Sequence, residues 1–290
     1  MNAVSDKRGQ IRELLVECSA LVSPPDIVIQ LRHAVDAPDS TPEDLAAIVM
    51  QDPGLGARML HMANSAMYGL NHRVETLSRA ISIIGPRPLY HLALALTASQ
   101  TFARLSDEPV DMAAFWRHSV FSALIALDLA RRSRAHHPEC LFMAGLLHDL
   151  GSLVLYQRSP DSLRKSLLAS RDNEHALVRK ERELFGFDHA EVGGALLELW
   201  DMPKDVQHAV ARHHRPTSPM SLPVAIVHLA DTLANRTDQG SLSGFGACGQ
   251  PPHPDAWKLL GLDEGLTDEI RKEVHLQFME TLHVILPQHR

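Results

Sequence analysis

Seven side chains between residues 118 and 231 of the 290-residue chain are of the types that bind metal ions or carry protons. They are His118, His148, Asp149, His189, His213, His214 and Asp231. Imidazole nitrogen and carboxylate oxygen together suit Fe, Mn or Zn. A metal held by His118, His148, Asp149 and Asp231 lowers the pKa of a bound water and polarises a phosphoryl oxygen. His189 with His213 or His214 completes a second metal position, with Asp149 bridging, and two such ions clamp the attacking and leaving oxygens of a displacement.

The surroundings of these residues single them out. His148 and Asp149 interrupt an otherwise apolar stretch from Phe142 to Leu155, and Asp231 sits among Ile226, Val227, Leu229 and Leu233. A carboxylate buried alone in such a setting is costly, so it needs a partner or a cation. Gly145 and Gly151 flank the His-Asp pair and permit close approach. Adjacent helical residues diverge by about 100°, yet both can reach one ion lying between their directions. Taken singly, each residue has a plainer explanation. His118 can bond a carbonyl, Asp149 can cap a helix, and His213-His214 can be a surface pair. A metal-free polar network remains a third account of the set. The chain holds 18 His against 3 Tyr and 3 Trp. His33, His61, His72, His91, His175, His228 and His253 read as ordinary satisfied histidines.

Helices must position these groups, because period-2 strand patterning is almost absent. Thr41-Pro42-Glu43-Asp44 reads as a helix start, with a cap, a first-position proline and acids in the first turn. Leu45, Ile48 and Val49 supply the apolar spacing that follows. Asp52-Pro53-Gly54 ends that helix; another runs from about Leu55 to Asn64. Gly85-Pro86-Arg87-Pro88 is a break before a helix from Leu89 to Phe102. Later helices are expected at Met112–Arg132, Glu139–Tyr156, Ser162–Phe185, Ala190–Trp200, Lys204–His213 and Leu222–Ala234. Residues 106–109 read as a boundary and 236–252 as an exposed Gly-, Ser- and Pro-rich loop. Ile270, Val274, Phe278 and Leu282 mark a C-terminal amphipathic helix.

Composition narrows the classes. The hydrophobic fraction of 45% and charged fraction of 22% are globular values. Three cysteines with no C-x-x-C argue against a disulfide scaffold or a cysteine zinc module. A net charge of −7 gives no global field for nucleic acid. No apolar run approaches the roughly 20 residues of a bilayer span, and the N-terminus lacks an apolar signal core, so a cytoplasmic location is expected. Gly244-Phe245-Gly246-Ala247-Cys248-Gly249 matches a dinucleotide fingerprint, but no strand precedes it and Gln250-Pro251-Pro252 follows, so it reads as loop. Asn235-Arg236-Thr237 matches a glycosylation acceptor that a cytosolic chain would not use, and the basic run from Arg131 to His137 reads as a solvated helix end.

At the His/Asp positions the sequence resembles the HD superfamily of metal-dependent phosphohydrolases. Further segments narrow the resemblance to the HDOD domain, the HD-related output domain of bacterial signalling. They are Ser23-Pro24-Pro25, Gln51-Asp52-Pro53-Gly54-Leu55, Ala63-Asn64-Ser65-Ala66-Met67-Tyr68, Phe115-Trp116-Arg117-His118-Ser119, Leu146 to Gly151, and Phe185 to Gly193. The resemblance covers roughly residues 20–235. It implies an all-α fold, an N-terminal helical bundle packed on an HD-domain-like helical bundle. The corresponding divisions are a helical subdomain over 1–105, an HD-like subdomain over 106–235, and a loop with C-terminal helices over 236–290. No receiver, kinase, GGDEF or DNA-binding segment is recognised beside it, so a stand-alone output module with a separate input partner is expected. That partner is a signalling protein, or the ligand is of nucleotide type; no nucleic acid or membrane span is expected. One or two divalent ions (Fe, Mn or Zn) are the expected cofactors. In the related HD-GYP phosphodiesterases the motif continues as H-D-I-G-K; here Ser152 follows Gly151, and Arg215-Pro216-Thr217-Ser218-Pro219 stands where G-Y-P is expected. Arg117, Arg212 and Arg215 are the candidate substitute phosphate contacts. Binding rather than turnover is therefore the expected action, with metal-dependent phosphohydrolysis of a nucleotide or cyclic dinucleotide as the alternative.

Overall fold

Several helices begin where a short polar side chain satisfies their free N–H groups. At Thr41 a reciprocal capping box forms: Thr41 Oγ1 accepts from Asp44 N at 3.2 Å, and Thr41 N donates to Asp44 Oδ2 at 2.9 Å. Asp52, Thr76 and Asp111 cap in the same way, accepting from the backbone N–H of Leu55, Arg79 and Ala114. A computed structural model describes residues 2–65, 67–103, 105, 111–162, 174–216, 219–237 and 251–286. The helices are α1 (Asn2–Glu17), α2 (Ser19–Val22), α3 (Asp26–Asp36), α4 (Pro42–Val49), α5 (Pro53–Ala63), α6 (Leu77–Ile84), α7 (Pro86–Ala103) and α8 (Met112–Arg132). They continue with α9 (Pro138–Leu147), α10 (Leu150–Arg158), α11 (Glu174–Phe185), α12 (His189–Leu199), α13 (Lys204–Arg212), α14 (Leu222–Asn235), α15 (Pro254–Leu260), a 3₁₀ turn at Glu264–Leu266 and α16 (Thr267–Ile285). No strand occurs among the described residues, and the fold is all-α.

The chain divides into two compact units. One takes Met1–Val22 and Leu105–Met279; the other takes Ser23–Arg104 and Glu280–Arg290. In the first, α8 is the hub, buried along most of its length and packed on α9 and α14. Around it α12 packs on α10 and α13, and α13 on α14. Arg132, paired with Asp128 on its own helix (2.7 Å), ties α8 to α16 through Glu269 (2.9 Å) and Glu273 (3.0 Å). Ile270, Val274 and Phe278 form the buried face of α16. In the second unit α3 packs on α4 and α7, and α6 on α4, α5 and α7.

Three expectations are corrected. The helix expected from Glu139 to Tyr156 is two helices, opened at His148 and Asp149. Asp149 takes φ −100°, ψ 3°, the bridge region outside the helical well. Proline does not delay α7 to Leu89: Gly85, at φ 98°, ends α6, and α7 starts at Pro86, where a first-turn proline loses no helical bond. Residues 138–158 are long and apolar enough to cross a membrane by length and composition, contrary to the reading that no run approaches that length. Their apolar character is that of a core element, since 89% of the most apolar 18 residues are buried. The expected boundary at 106–109, residues 163–173 of the expected Ser162–Phe185 helix, and the glycine-rich match at 244–249 lie outside the described residues.

One buried charge in the second unit is poorly compensated among the described residues. Arg58 on α5 is 7% exposed, and its Nε donates to Gly54 O at 3.3 Å, but neither Nη1 nor Nη2 makes a hydrogen bond. Burial pulls the guanidinium pKa down and Asp52 pushes it back. Arginine stays charged, so two unsatisfied donors and a charge are kept from water. Replacing it with a flexible apolar chain in Arg58→Met is expected to raise the unfolding free energy by about 1–3 kcal/mol. Denaturant unfolding measures this, and a fall in stability would contradict the reading of Arg58 as poorly compensated.

Candidate metal centre

Five separate elements of the first unit bring the seven His/Asp residues to one place. His118 projects from the middle of α8; His148 and Asp149 occupy the α9–α10 junction; His189 is the first residue of α12; His213 and His214 follow the end of α13; Asp231 lies in α14. Every one of these side chains is between 0% and 4% exposed. Their ligand atoms form overlapping groups, each within 4.8 Å, that could hold a metal ion.

Asp149 is the centre of the arrangement. Its Oδ2 faces His148 Nε2 at 3.3 Å and His118 Nε2 at 3.8 Å. Its Oδ1 faces His189 Nε2 at 3.3 Å and His213 Nε2 at 3.6 Å. Asp231 Oδ1 closes the first side, 3.2 Å from His118 Nε2 and 3.6 Å from His148 Nε2, and accepts from Asn235 Nδ2 at 2.8 Å. On the second side His214 Nε2 lies 2.7 Å from His189 Nε2.

The break between α9 and α10 explains how neighbours can share one centre. In a continuous helix the side chains of 148 and 149 would diverge by about 100°. With the backbone opened, His148 Nε2 and Asp149 Oδ2 come together. Asp149 precedes α10 but makes no side-chain cap bond, so its carboxylate is free for the cluster. Two glycines allow the close packing. A Cβ on Gly145 would stand 2.8 Å from Ala123 Cα of α8, and one on Gly151 would stand 2.0 Å from the His189 carbonyl oxygen.

The second ring nitrogens set the tautomers. His148 Nδ1 faces Gly145 O at 2.8 Å, and His213 Nδ1 faces Val210 O at 2.7 Å. A carbonyl only accepts, so both Nδ1 atoms carry the proton, and Nε2 is turned to the cluster. His189 Nδ1 meets the Glu181 carboxylate at 2.7 Å. Glu181, 1% exposed on α11, was not singled out in the sequence, where Arg179-Lys180-Glu181-Arg182-Glu183 looks like a solvated run. The available signal was its spacing from Val178 and Phe185, which puts it on their face of the helix. His228, read as an ordinary histidine, also supports the site: its Nδ1 donates to His213 O at 2.7 Å and its Nε2 accepts from His253 N at 3.0 Å.

A divalent cation fits this donor set. Asp149 Oδ1 and His213 Nε2 are buried and make no hydrogen bond. Imidazole lone pairs and carboxylates converge on the same space, which is ligand chemistry. The electrostatics agree. Burial opposes a charge on His148, but Asp149 and Asp231 hold its pKa well above the ordinary histidine value. Burial opposes it at His189 too, where Glu181 and Asp149 prevail in the same direction. Burial raises Asp149 and Asp231, but the imidazoles hold both well below the usual carboxylate range. His214 is pressed well below the usual histidine value by burial and by His213 and His189. Of the candidate phosphate contacts, Arg212 and Arg215 are exposed and Arg117 is half-buried.

The HDOD domain profile matches residues 21–216, more than half the chain. The chain belongs to the HDOD domain family. A protein from Treponema pallidum (strain Nichols), itself uncharacterised, is 29% identical over 197 residues, covering 66% of this chain and 37% of that protein. The HDOD chain thus spans little more than a third of that relative's length. Among solved structures, a candidate phosphohydrolase from Shewanella amazonensis SB2B is 26% identical with a TM-score of 0.70, covering 94% of this chain and 98% of that one. An HDOD domain protein of unknown function from Geobacter sulfurreducens is 24% identical with a TM-score of 0.68, covering 97% and 98%. A candidate signal transduction protein from Marinobacter aquaeolei VT8 is 22% identical with a TM-score of 0.68, covering 97% of this chain and 66% of that one; it and the Geobacter protein share the fold.

Two expectations follow from this geometry. Gly151→Ala forces α10 and α12 apart against two backbone groups, His189 O and Gly193 N. It should cost about 1–3 kcal/mol of stability and reduce metal uptake, read by thermal unfolding and metal analysis. Metal uptake must also displace protons from His148 and His189, whose pKa values are raised. Apparent affinity should therefore climb as pH rises through and beyond the ordinary histidine range, and fall as pH drops. Calorimetric titration in buffers of different ionisation enthalpy measures the released protons; a pH-independent affinity contradicts the assignment.

Proposed function

We propose that this chain is a bacterial, cytoplasmic HDOD output module that holds one or two divalent ions, Fe, Mn or Zn, at the buried cluster. It acts mainly by binding a signalling protein partner or a nucleotide-type ligand. His118, His148, Asp149, His189, His213, His214 and Asp231 are the proposed ligands.

Convergence of the ligand set carries the metal part of this reading: seven His/Asp side chains, none more than 4% exposed, bring ligand atoms together in overlapping groups, each within 4.8 Å. The phosphate side of the site supports binding over turnover. Ser152, only 8% exposed, supplies a neutral hydroxyl where active HD-GYP relatives carry lysine. Loss of one such electrostatic contact to a reacting phosphate typically costs about 10²–10³ in rate.

A second reading, metal-dependent phosphohydrolysis of a nucleotide or cyclic dinucleotide, is favoured by one observation. The two oxygens of Asp149 face two different histidine sets, the disposition of a carboxylate bridging two metals. The Shewanella relative, a candidate phosphohydrolase, points the same way. In that case Arg117, Arg212 or Arg215 would meet the phosphate.

One experiment separates the two readings. Protein purified without chelator or histidine tag should contain divalent metal, and Asp149→Ala should lose it. Mn- or Fe-supplied wild type should turn over cyclic di-GMP and simple phosphodiesters negligibly. Robust turnover that vanishes in Asp149→Ala would replace the binding reading with the enzymatic one.

A further inference from the structure

We infer that Glu181 is a positioning residue that fixes the His189 imidazole as a ligand of the cluster; this deepens, and rests on, the metal-holding reading above. The geometry is a double contact to one oxygen. Glu181 Oε2 accepts from His189 Nδ1 at 2.7 Å and from the His189 backbone N at 3.0 Å. His189 begins α12, so its N–H is one of the helix-start donors without an intrahelical acceptor. Asp188, the cap, is committed elsewhere: Oδ1 accepts from Glu191 N at 3.0 Å, and Oδ2 pairs with Arg182. Glu181 thus holds both the backbone and the ring of one residue from a separate helix.

The other pinned rings of the cluster are held differently. His148 and His213 use neutral carbonyls three residues back in their own segments. His189 has an ionisable carboxylate as its Nδ1 acceptor. Such a partner fixes the ring orientation and raises the basicity of the opposite nitrogen. That nitrogen, Nε2, lies 3.3 Å from Asp149 Oδ1 and 2.7 Å from His214 Nε2. A carboxylate kept at 1% exposure is costly unless it is paired. Of the neighbouring cations of α11, Lys180 pairs with Glu183 and Arg182 with Asp188, and Arg179 is exposed. A helix needing only an apolar contact here would gain more from leucine. The placement is accounted for by a ligand that must present Nε2, and no other nitrogen, to a cation.

The test uses full-length protein stripped of metal and titrated with Co²⁺, followed by its visible absorption and by calorimetry. Glu181→Ala should weaken Co²⁺ binding by about 10–100-fold. Glu181→Gln, which keeps an acceptor oxygen but loses the charge, should weaken it by a smaller factor. Glu183→Gln, on the solvent side of the same helix, should leave it unchanged. In the metal-free wild type, His189 Nδ1–H should give a downfield, exchange-protected NMR resonance that Glu181→Ala removes. If Glu181→Ala does not fold, Glu181→Gln decides by the same affinity and resonance. Wild-type cobalt affinity in the folded variants, or absence of the protected resonance in wild type, overturns the role of Glu181 and leaves the metal reading standing. No cobalt uptake by the wild type overturns both.

Discussion

Asp149 and Asp231 are ionised groups placed where water does not reach, 2% exposed each, among helices that are otherwise apolar. Carboxylates in that position are tolerated only if positive charge and hydrogen-bond donors surround them. His148 and His189, held well above the ordinary histidine value, supply that charge within a set of five imidazoles, and the Nδ1 atoms of His148, His213 and His189 are satisfied in turn by Gly145 O, Val210 O and Glu181. The requirement spreads outward through the unit. Removing either carboxylate or its imidazoles would leave a buried charge uncompensated, which is worse than having no polar group there.

The helices are shaped to meet that requirement. α8 brings His118 in from a helix buried along most of its length. α9 and α10 would be one apolar rod by composition, yet the rod is opened at the two residues that must point the same way. Gly145 lets α9 lie against the backbone of α8, and Gly151 lets α10 lie against α12. The capping box at Asp188 and Glu191 fixes where α12 begins, and hence where His189 stands. Local helix chemistry and long-range electrostatics agree at each of these points, which is the consistency expected of a sequence with one well-defined fold.

Helix-start chemistry was readable in advance. Thr41-Pro42-Glu43-Asp44 gave a capping box because all its partners lie within three residues. Met112–Arg132 was readable because its apolar character persists over the full length and ends at basic residues. His118, His148, Asp149 and Asp231 stood out as polar residues in apolar surroundings. Glu181 did not, since Arg179, Lys180, Arg182 and Glu183 around it are what a solvated face looks like. His228 was passed over for the opposite reason: a single histidine in an apolar helix is usually unremarkable, and its partners, His213 O and His253 N, are distant in sequence.

Residue types, their apolar neighbours and short-range capping patterns are properties of a few consecutive residues, and from these the sequence alone determined an all-α chain with a candidate His/Asp ligand set. Tertiary structure decided what depends on several helices at once: that Asp149 turns one oxygen to each histidine set, that the helix opens beside it, and that α1 groups with the later helices. It also decided that a glutamate within a charged run faces inward to hold a ring eight residues away. These are outcomes of packing in which burial makes each unpaired polar atom expensive. Partners for such atoms are found wherever the fold places them, at separations that no local pattern encodes.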